Sequence, residues 1–251
     1  MKIQISVRHR KTALVTGGAL RIGQAISLKL ADLEFDIALH YHQSKEEALR
    51  TAQYIEKKGV ACQLFSCNLA NERQTSLLIG QVHKKFPNLS LLVNNASVFK
   101  PSTLKKGSLQ QFNEEFSVNL KAPFILMREV VQKCSKGHII NLLDTNIVKN
   151  TTNHFIYLLT KKAFYELTKL AAMELAPAIR VNAIAPGLIL PPANKDKDQG
   201  YLKKLAKHIP LKRKSGLIQI TQAVEFLLKN DSLTGEVIFV DGGEHLWLQS
   251  A

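Results

Sequence analysis

The chain has 251 residues, of which 45% are hydrophobic and 22% are charged, a composition ordinary for a globular fold. This composition excludes an intrinsically disordered chain and a collagen-like fibre. The formal net charge of +14 is unusual. It favours an anionic partner, whether nucleic acid, an acidic membrane surface or a phosphorylated cofactor, without choosing among them.

No stretch has the length and apolarity of a membrane span. The longest run without Lys, Arg, Asp or Glu, from Val181 to Asn194, contains three prolines and falls short of the roughly 20 apolar residues required. The basic first residues lead into a strand-like segment without the apolar centre of a signal peptide. We expect a cytoplasmic protein whose three cysteines lack metal-ligand spacing and stay reduced, with no bound metal.

Short apolar runs alternate with longer segments of helical periodicity along the chain. The short runs predict seven strands: Thr12–Val15, Asp36–His40, Val60–Phe65, Leu89–Asn94, His138–Leu143, Arg180–Ala185 and Glu236–Val240. The longer segments predict helices: Ile22–Leu33, Lys45–Lys57, Glu72–Phe86, Leu109–Cys134, His154–Leu175 and Ile218–Lys229. This alternation predicts a Rossmann-like α/β fold, a doubly wound parallel sheet of seven strands with helices on both faces.

One long irregular segment interrupts this pattern, from Pro186 to about Pro210. Connections of this length inside a compact domain are usually functional, so we expect a substrate loop at about 186–210, with a mobile surface loop as the alternative. Its neighbourhood is basic, since Lys195–Lys214 holds eight Lys and Arg residues. These residues either attract an anionic substrate tail or form a solvated surface.

A glycine-rich turn, with the sequence TGGALRIG over residues 16–23, joins the first strand to the first helix. Glycines let the backbone approach a pyrophosphate, and the helix N-terminus holds its charge. Gly17, Arg21, Ile22 and Gly23 are therefore candidate cofactor contacts. A tight connection that binds nothing is the alternative interpretation of this turn.

The sequence around Arg21 and after the second strand favours NADPH over NADH. Arg21 stands where a second glycine is usual, and its guanidinium offers a planar fork of donors to a phosphate. The second strand ends in LHYHQS, without the acidic residue that holds the ribose hydroxyls of NAD. His42 and Ser44 are further candidate contacts, although Ser44 also suits a helix cap.

Tyr157 and Lys161 lie four residues apart in a helical segment, so their side chains share one face. An ammonium near the phenol is expected to lower the Tyr157 pKa from about 10, which makes it a proton donor near neutral pH. Such a pair occurs often by chance, so the surrounding residues must decide whether it is catalytic or an ordinary surface pair. The accompanying polar and turn residues are Asn94 to Ser97, Asn119, Asp144 and Pro186-Gly187.

Together these motifs resemble the short-chain dehydrogenase/reductase family over essentially the whole chain, through Val240-Asp241-Gly242-Gly243. The resemblance implies one NADP-binding reductase domain over residues 1–251. Tyr157 would be the catalytic acid, Lys161 would hold the nicotinamide ribose, and Asn119 would support a proton-relay water. The remaining cofactor contacts that it implies are Asn68, Leu69, Asn95, Ala96, Ser97, Pro186, Gly187 and Leu188. The family is also typically a homotetramer, built through the helices that carry Asn119 and Tyr157 and through the C-terminal segment.

Within this family the chain is most similar to the pteridine reductases and the bacterial dihydromonapterin or dihydrofolate reductases. The similarity rests on Arg21, on His-Tyr-His-x-Ser after the second strand, and on Asn-Asn-Ala-Ser-x-Phe after the fourth. It rests also on Asp144, where most members have the Ser that polarises a carbonyl. Asp144 would then serve protonation of a ring nitrogen, and Phe99 would stack on the pterin beside Ser97 and Tyr157.

Two residues depart from the pteridine reductase pattern. Gln43 stands where those enzymes have an Arg for the 2′-phosphate, so NADPH selectivity depends more on Arg21 and His42. Asn68 replaces the Asp that commonly meets the adenine amino group, and its amide oxygen can still accept that hydrogen bond.

The resemblance implies NADPH-dependent reduction of a dihydropterin, namely dihydromonapterin, dihydrobiopterin or dihydrofolate, to the tetrahydro form. An NADPH-dependent carbonyl reductase, for example of 3-oxoacyl thioesters, is the alternative, and Ser would be expected at position 144. A basic nucleic-acid-binding or NADPH-sensing protein of the same fold is disfavoured, because it would not need Asn119, Tyr157 and Lys161. The expected partner is therefore a small-molecule pterin or folate, without nucleic acid or membrane.

Overall fold

The computed structural model describes residues 10–189, 206–207 and 209–246. Its strands are β1 (Thr12–Val15), β2 (Asp36–Tyr41), β3 (Cys62–Ser66), β4 (Leu89–Asn94), β5 (Gly137–Leu142), β6 (Ile179–Pro186) and β7 (Val237–Val240). Its α-helices are α1 (Arg21–Asp32), α2 (Lys45–Glu56), α3 (Glu72–Lys85), α4 (Leu109–Phe116), α5 (Ala122–Lys133), α6 (Phe155–Leu175) and α7 (Leu217–Lys229).

In the described residues the strands form one parallel sheet of seven, in the order β3-β2-β1-β4-β5-β6-β7. The chain order reverses at β1, where Leu14 lies opposite Ala38 on one side and Leu92 on the other. A crevice opens at such a reversal, beyond the carboxyl ends of the strands, and ligands bind there in open α/β sheets. The predicted Rossmann-like sheet of seven parallel strands is confirmed.

Both faces of the sheet are buried, so each strand supplies apolar residues to two cores. On one face Leu14 and Leu92 pack with Leu78 of α3, Leu126 of α5 and Phe164 of α6. On the other face the alternating residues of the same strands, Ala13, Val15, Leu91 and Val93, belong to a core that also contains Ile26 of α1, Ile55 of α2 and Val224 of α7. The two layers of helices hold the strand ends rigidly where the candidate site lies.

The long helix predicted over Leu109–Cys134 is interrupted. A π-helical turn, Ser117–Lys121, separates α4 from α5 and carries the buried Asn119. A π turn adds one residue to a helical turn, which changes the direction of the side chains there, and such turns are frequent at functional sites. The apolar pattern of the sequence does not distinguish this wide turn from continuous α-helix.

The structure corrects the predicted end of the fifth strand and describes only part of the predicted substrate loop. The fifth strand ends at Leu142, so Asp144 lies beyond the strand and directly precedes a 3-10 turn, Thr145–Val148. The predicted substrate loop at about 186–210 and the basic segment Lys195–Lys214 lie largely outside the described residues. Of the helices described, none combines the length and apolarity needed to cross a bilayer.

Two adjacent leucines of α3 test the core. Leu78 is completely buried, whereas Leu77 is 53% exposed on the same helix. We expect Leu78→Ala to reduce the free energy of unfolding by about 2–5 kcal/mol, because it leaves a cavity in a packed core. Leu77→Ala should change it by less than about 0.5 kcal/mol. Urea denaturation of both variants measures this, and equal losses would contradict the packing described.

Candidate active site

The turn between β1 and α1 is shaped by its glycines. Gly17 has φ +61°, in the left-handed region that favours glycine. A Cβ on Gly23 would lie 2.1 Å from the Gly17 carbonyl oxygen, so no larger residue fits there. The backbone therefore closes tightly over the N-terminus of α1, and this geometry is suited to a phosphate group.

Arg21 adopts φ +54°, also in the left-handed region, at the position where a glycine is usual. A residue with a Cβ pays about 1–2 kcal/mol for this conformation. The Arg21 side chain therefore occupies a position whose backbone conformation favours glycine.

A hydrogen-bond network ties this turn to the segment after β4. The Thr16 hydroxyl oxygen accepts from the backbone N–H of Asn95 (2.9 Å) and of Ala96 (3.0 Å). The Asn95 side-chain Nδ2 donates to the Thr16 carbonyl at 2.9 Å and to the Gly17 carbonyl at 3.2 Å. The glycine turn and the Asn-Asn-Ala segment therefore act as one rigid unit.

These segments enclose a cavity of about 400 Å³. Its lining includes ten of the predicted cofactor residues: Gly17, Arg21, Ile22, Gly23, His42, Asn68, Leu69, Asn95, Ala96 and Ser97. It also includes Leu20, His40, Val98 and Val118, which the sequence analysis did not select. Ser44 lies outside this lining, directly before α2. Since the lining residues include Arg and His but no carboxylate, the cavity fits the phosphates of a dinucleotide.

A second group of predicted residues meets beyond β5. The Tyr157 hydroxyl donates to Asp144 Oδ2 at 3.0 Å. Asp144 Oδ1 accepts from the backbone N–H and the side chain of Asn146 at 2.8 and 2.9 Å, which fixes the carboxylate. Lys161 is buried, donates to the Leu142 carbonyl at 2.7 Å, and places its Nζ 5.7 Å from the centre of the Tyr157 ring. The structure thus brings the predicted catalytic residues together.

Phe99 completes this group from the segment after β4. Its ring packs edge-on against Tyr157, with centroids 4.6 Å apart, and it is 49% exposed. One face of the ring is covered by His154, which stacks on it at 4.0 Å and 12°. His154 adopts φ +58° directly before α6, and this backbone turn positions its ring against Phe99. The sequence analysis did not select His154.

The segment after β6 lies against the C-terminal part of the described chain. The Leu188 N–H donates to Glu244 Oε2 at 3.1 Å. A Cβ on Gly187 would lie 2.5 Å from Asp241 Cβ, so glycine is required for this close approach. Burial raises the pKa of Glu244. Asp241 and Glu244 therefore hold the segment that contains the predicted residues Pro186, Gly187 and Leu188.

Among the described residues, no three His, Cys, Asp or Glu side chains lie close enough together to hold a metal ion.

Comparison with known proteins identifies the family. Residues 18–245 match the family model described as enoyl-(acyl carrier protein) reductase. The 3-oxoacyl-[acyl-carrier-protein] reductase FabG of Staphylococcus epidermidis is 32% identical over 242 residues, covering 94% of this chain and 99% of that protein. The chain belongs to the short-chain dehydrogenase/reductase family.

Two solved structures of this family are also similar over most of the chain. One is FolM alternative dihydrofolate reductase 1 of Brucella canis, complexed with NADP: 33% identity, TM-score 0.89, 96% of each chain covered. The other is its counterpart from Brucella suis in complex with NADP: 32% identity, TM-score 0.88, 96% of this chain and 97% of that one covered. The chain is thus about equally similar in sequence to a FolM alternative dihydrofolate reductase and to a FabG 3-oxoacyl-[acyl-carrier-protein] reductase.

The spacing of Tyr157 and Lys161 predicted a lowered Tyr157 pKa, and this expectation is wrong in the described arrangement. Burial raises the pKa of Tyr157 well above its ordinary value, and the Asp144 carboxylate adds to the shift. Burial also lowers the pKa of Lys161 to about 8, which Asp144 partly opposes. Tyr157 is therefore a phenol in this arrangement, and its hydroxyl donates a hydrogen bond to Asp144.

Asn119 has a structural role that the family resemblance did not predict. Its side-chain oxygen accepts from the Ser97 hydroxyl (3.1 Å) and from the Val98 N–H (2.7 Å). Its Nδ2 donates to the Val98 carbonyl (2.8 Å) and to the Thr160 hydroxyl (3.2 Å). The side-chain amide of Asn119 in the π turn thus binds both the segment that leads to Phe99 and the helix that carries Tyr157.

Glu115 is a buried carboxyl next to this catalytic group. It is fully buried on α4, one helical turn before Asn119. Its Oε1 accepts from Gln111 at 2.7 Å, while its Oε2 has no hydrogen-bond partner among the described residues. Burial raises its pKa, and its charge in turn raises the pKa of Tyr157. Glu115 was not predicted from the sequence, because an acidic residue in an amphipathic helix is ordinarily exposed.

Glu115→Gln tests this buried charge. Because the folded pKa of Glu115 lies above its unfolded value, ionisation opposes folding, and stability is lost as the pH rises from about 4.5 through the folded pKa. We expect the free energy of unfolding of the variant, relative to the parent, to increase over that range. Glu114→Gln, at a half-exposed carboxylate paired with Lys100, is the control and should show no such increase. Urea denaturation across pH is the measurement, and a pH-independent difference would refute a raised pKa.

Proposed function

We propose that this reductase transfers a hydride from NADPH to a dihydropterin and yields the tetrahydro form. The single observation that carries this proposal is the 3.0 Å hydrogen bond between the Tyr157 hydroxyl and the Asp144 carboxylate. A carbonyl substrate needs a second donor next to the tyrosine, whereas an ionised carboxylate is only an acceptor. A dihydropterin presents ring nitrogens and amino groups, which suit a carboxylate that accepts and passes on protons.

NADPH as the cofactor is supported by the charge of the cavity. Arg21 at the start of α1 and His42 directly after β2 line it, and no Asp or Glu belongs to its described lining. A 2′-phosphate is attracted by such a surface, and no carboxylate is present there to bind a free ribose hydroxyl. NADP in the two FolM structures also supports this assignment.

The cofactor supplies the hydride when it is bound. The substrate ring nitrogen next to the reduced carbon must take up a proton, and Tyr157 and Asp144 provide the route. The phenol proton passes to Asp144 Oδ2, to which it is already directed, and the carboxyl passes it to the ring nitrogen. Phe99, whose side chain is 49% exposed next to Tyr157, offers an aromatic ring against which a flat bicyclic ring can pack.

Lys161 and Asn119 support this proton route without lying on it. The Lys161 ammonium over the Tyr157 ring stabilises negative charge on the phenol as its proton leaves. Asn119 holds Ser97 and Val98, so the substrate-facing residue Phe99 is fixed relative to Tyr157. The two residues therefore contribute to proton transfer and to the position of the stacking ring, respectively.

Reduction of a 3-oxoacyl thioester is the second candidate. The observation in its favour is the sequence similarity to FabG of Staphylococcus epidermidis over nearly the whole chain. Asp144 is the residue that separates the two candidates, since an ionised carboxylate next to a carbonyl oxygen is repulsive rather than polarising.

We also propose that the chain forms a single reductase domain that assembles into a homotetramer. Large apolar side chains on α5 and α6 support the assembly: Phe124 is 48% exposed, Leu170 64% and Met173 82%. Exposed apolar residues clustered on neighbouring helices are typical of interfaces between subunits.

Asp144→Ser tests the choice of substrate. We expect dihydropterin turnover to fall by about 100-fold or more, the usual effect of losing a proton-transfer group, with NADPH affinity nearly unchanged. Weak reduction of simple ketones should appear, because the hydroxyl donates to a carbonyl. Asp32→Ser, at an exposed aspartate of α1, is the control. Steady-state rates on both substrates and NADPH titrations measure this; unchanged dihydropterin turnover would move the assignment to the carbonyl reductases.

Arg21→Gly tests the cofactor. Glycine suits the left-handed backbone, so the variant should keep its stability or gain up to about 1 kcal/mol. Its preference for NADPH over NADH should fall about tenfold, the value of one charge-assisted contact. Arg50→Ala on the exposed face of α2 should leave the preference unchanged. The ratio of kcat/KM for the two cofactors is the measurement, and an unaltered ratio for Arg21→Gly would exclude contact with the 2′-phosphate.

A further inference from the structure

His40 is a buried histidine near the end of β2, with 2% of its surface exposed. Its Nδ1 lies 3.0 Å from the backbone nitrogen of Gly17, and its Nε2 lies 3.0 Å from the carbonyl oxygen of Cys67. A backbone N–H can only donate and a carbonyl can only accept, so the tautomer is determined. Nδ1 carries no hydrogen and accepts, while Nε2–H donates.

The same residue also binds the glycine turn through its backbone. The Gly18 N–H donates to the His40 carbonyl at 2.9 Å. Two consecutive amides of the turn, those of Gly17 and Gly18, are therefore held by one residue of β2. Through Cys67, directly after β3, the ring connects the turn to the next strand as well.

The Gly17 peptide is held from both sides. Its N–H is bound by His40, and its carbonyl accepts from Asn95 Nδ2 at 3.2 Å. An ideal Cβ on Gly17 would lie 3.2 Å from the Ala96 Cα, so the turn already packs tightly against that segment. His40 is the matching support on the β2 side, and it is one of the residues that line the cavity.

We propose that His40 is a positioning residue which holds the glycine turn in the shape that accepts the pyrophosphate of the cofactor. This inference rests on the proposed use of NADPH. With the amides of Gly17 and Gly18 bound to His40, the turn leads into the N-terminus of α1, whose first residues line the cavity. Burial lowers the pKa of His40 to about 4, so its Nδ1 remains an acceptor at neutral pH.

Two substitutions separate the two ring nitrogens. In His40→Asn the side-chain oxygen reaches approximately the place of Nδ1 and can still accept from Gly17. In His40→Gln the amide reaches the place of Nε2 and can bind Cys67, but it leaves Gly17 without a partner. The control is His138→Asn, at a histidine that is also buried but lies at the amino end of the sheet, on β5.

Calorimetric titration of the purified full-length proteins with NADPH measures the affinity of each protein for the cofactor. The thermal midpoint of unfolding is measured for each protein as well. We expect His40→Gln to weaken NADPH binding about tenfold or more, His40→Asn to stay within about threefold of the parent, and His138→Asn to lose stability with unchanged affinity. In steady state His40→Gln should raise KM for NADPH more than it lowers kcat. Parent affinity in a folded His40→Gln protein, or equal weakening by Asn and Gln, would overturn the inference.

A measurement on the unmodified protein covers the case in which His40→Gln does not fold. Long-range ¹H–¹⁵N NMR spectra distinguish the tautomers of a neutral imidazole, and we expect hydrogen on Nε2 of His40. Hydrogen on Nδ1 would overturn the inference, because the Gly17 contact then disappears. If the parent protein itself does not bind NADPH, the proposed cofactor fails, a result distinct from either outcome for His40.

Discussion

The hydrogen bond from the Tyr157 hydroxyl to Asp144 is the interaction on which the functional account depends. It joins a helix residue of α6 to the turn after β5, and it pairs a buried phenol with a carboxylate that is partly buried. Burial and the neighbouring carboxylate keep the phenol protonated. A carboxylate that accepts a hydrogen bond from the phenol distinguishes this site from one in which two hydroxyl donors polarise a carbonyl.

The proton-transfer group and the cofactor cavity are linked through one short segment after β4. Asn95 and Ala96 bind Thr16 of the glycine turn. Only a few residues later, Ser97 and Val98 are held by Asn119. Hydrogen bonds therefore connect the glycine turn, through the segment after β4, with the π turn at Asn119.

Periodicity and turn residues predicted the sheet and most helix ends, because both strand faces are buried and the strands are almost continuously apolar. The π turn at Asn119 was not predicted, because a single added residue shifts the helical phase too little for the apolar pattern to distinguish it from continuous α-helix. The sequence favoured His42 over His40 because a cofactor contact was expected after the strand, whereas the buried His40 binds backbone groups that only the fold brings near. Glu115 was missed for the same reason: its burial depends on the packing of α4 against α6.

The most direct test of the account compares two substrates on the unmodified enzyme. NADPH consumption with a dihydropterin and with a 3-oxoacyl thioester gives kcat/KM for each under matched conditions. We expect the dihydropterin to be preferred by about 100-fold or more, because a site built to exchange protons with ring nitrogens leaves its carboxylate unpaired against a ketone. An equal or higher kcat/KM for the 3-oxoacyl thioester would contradict the assignment of Asp144 and, with it, the proposed substrate class.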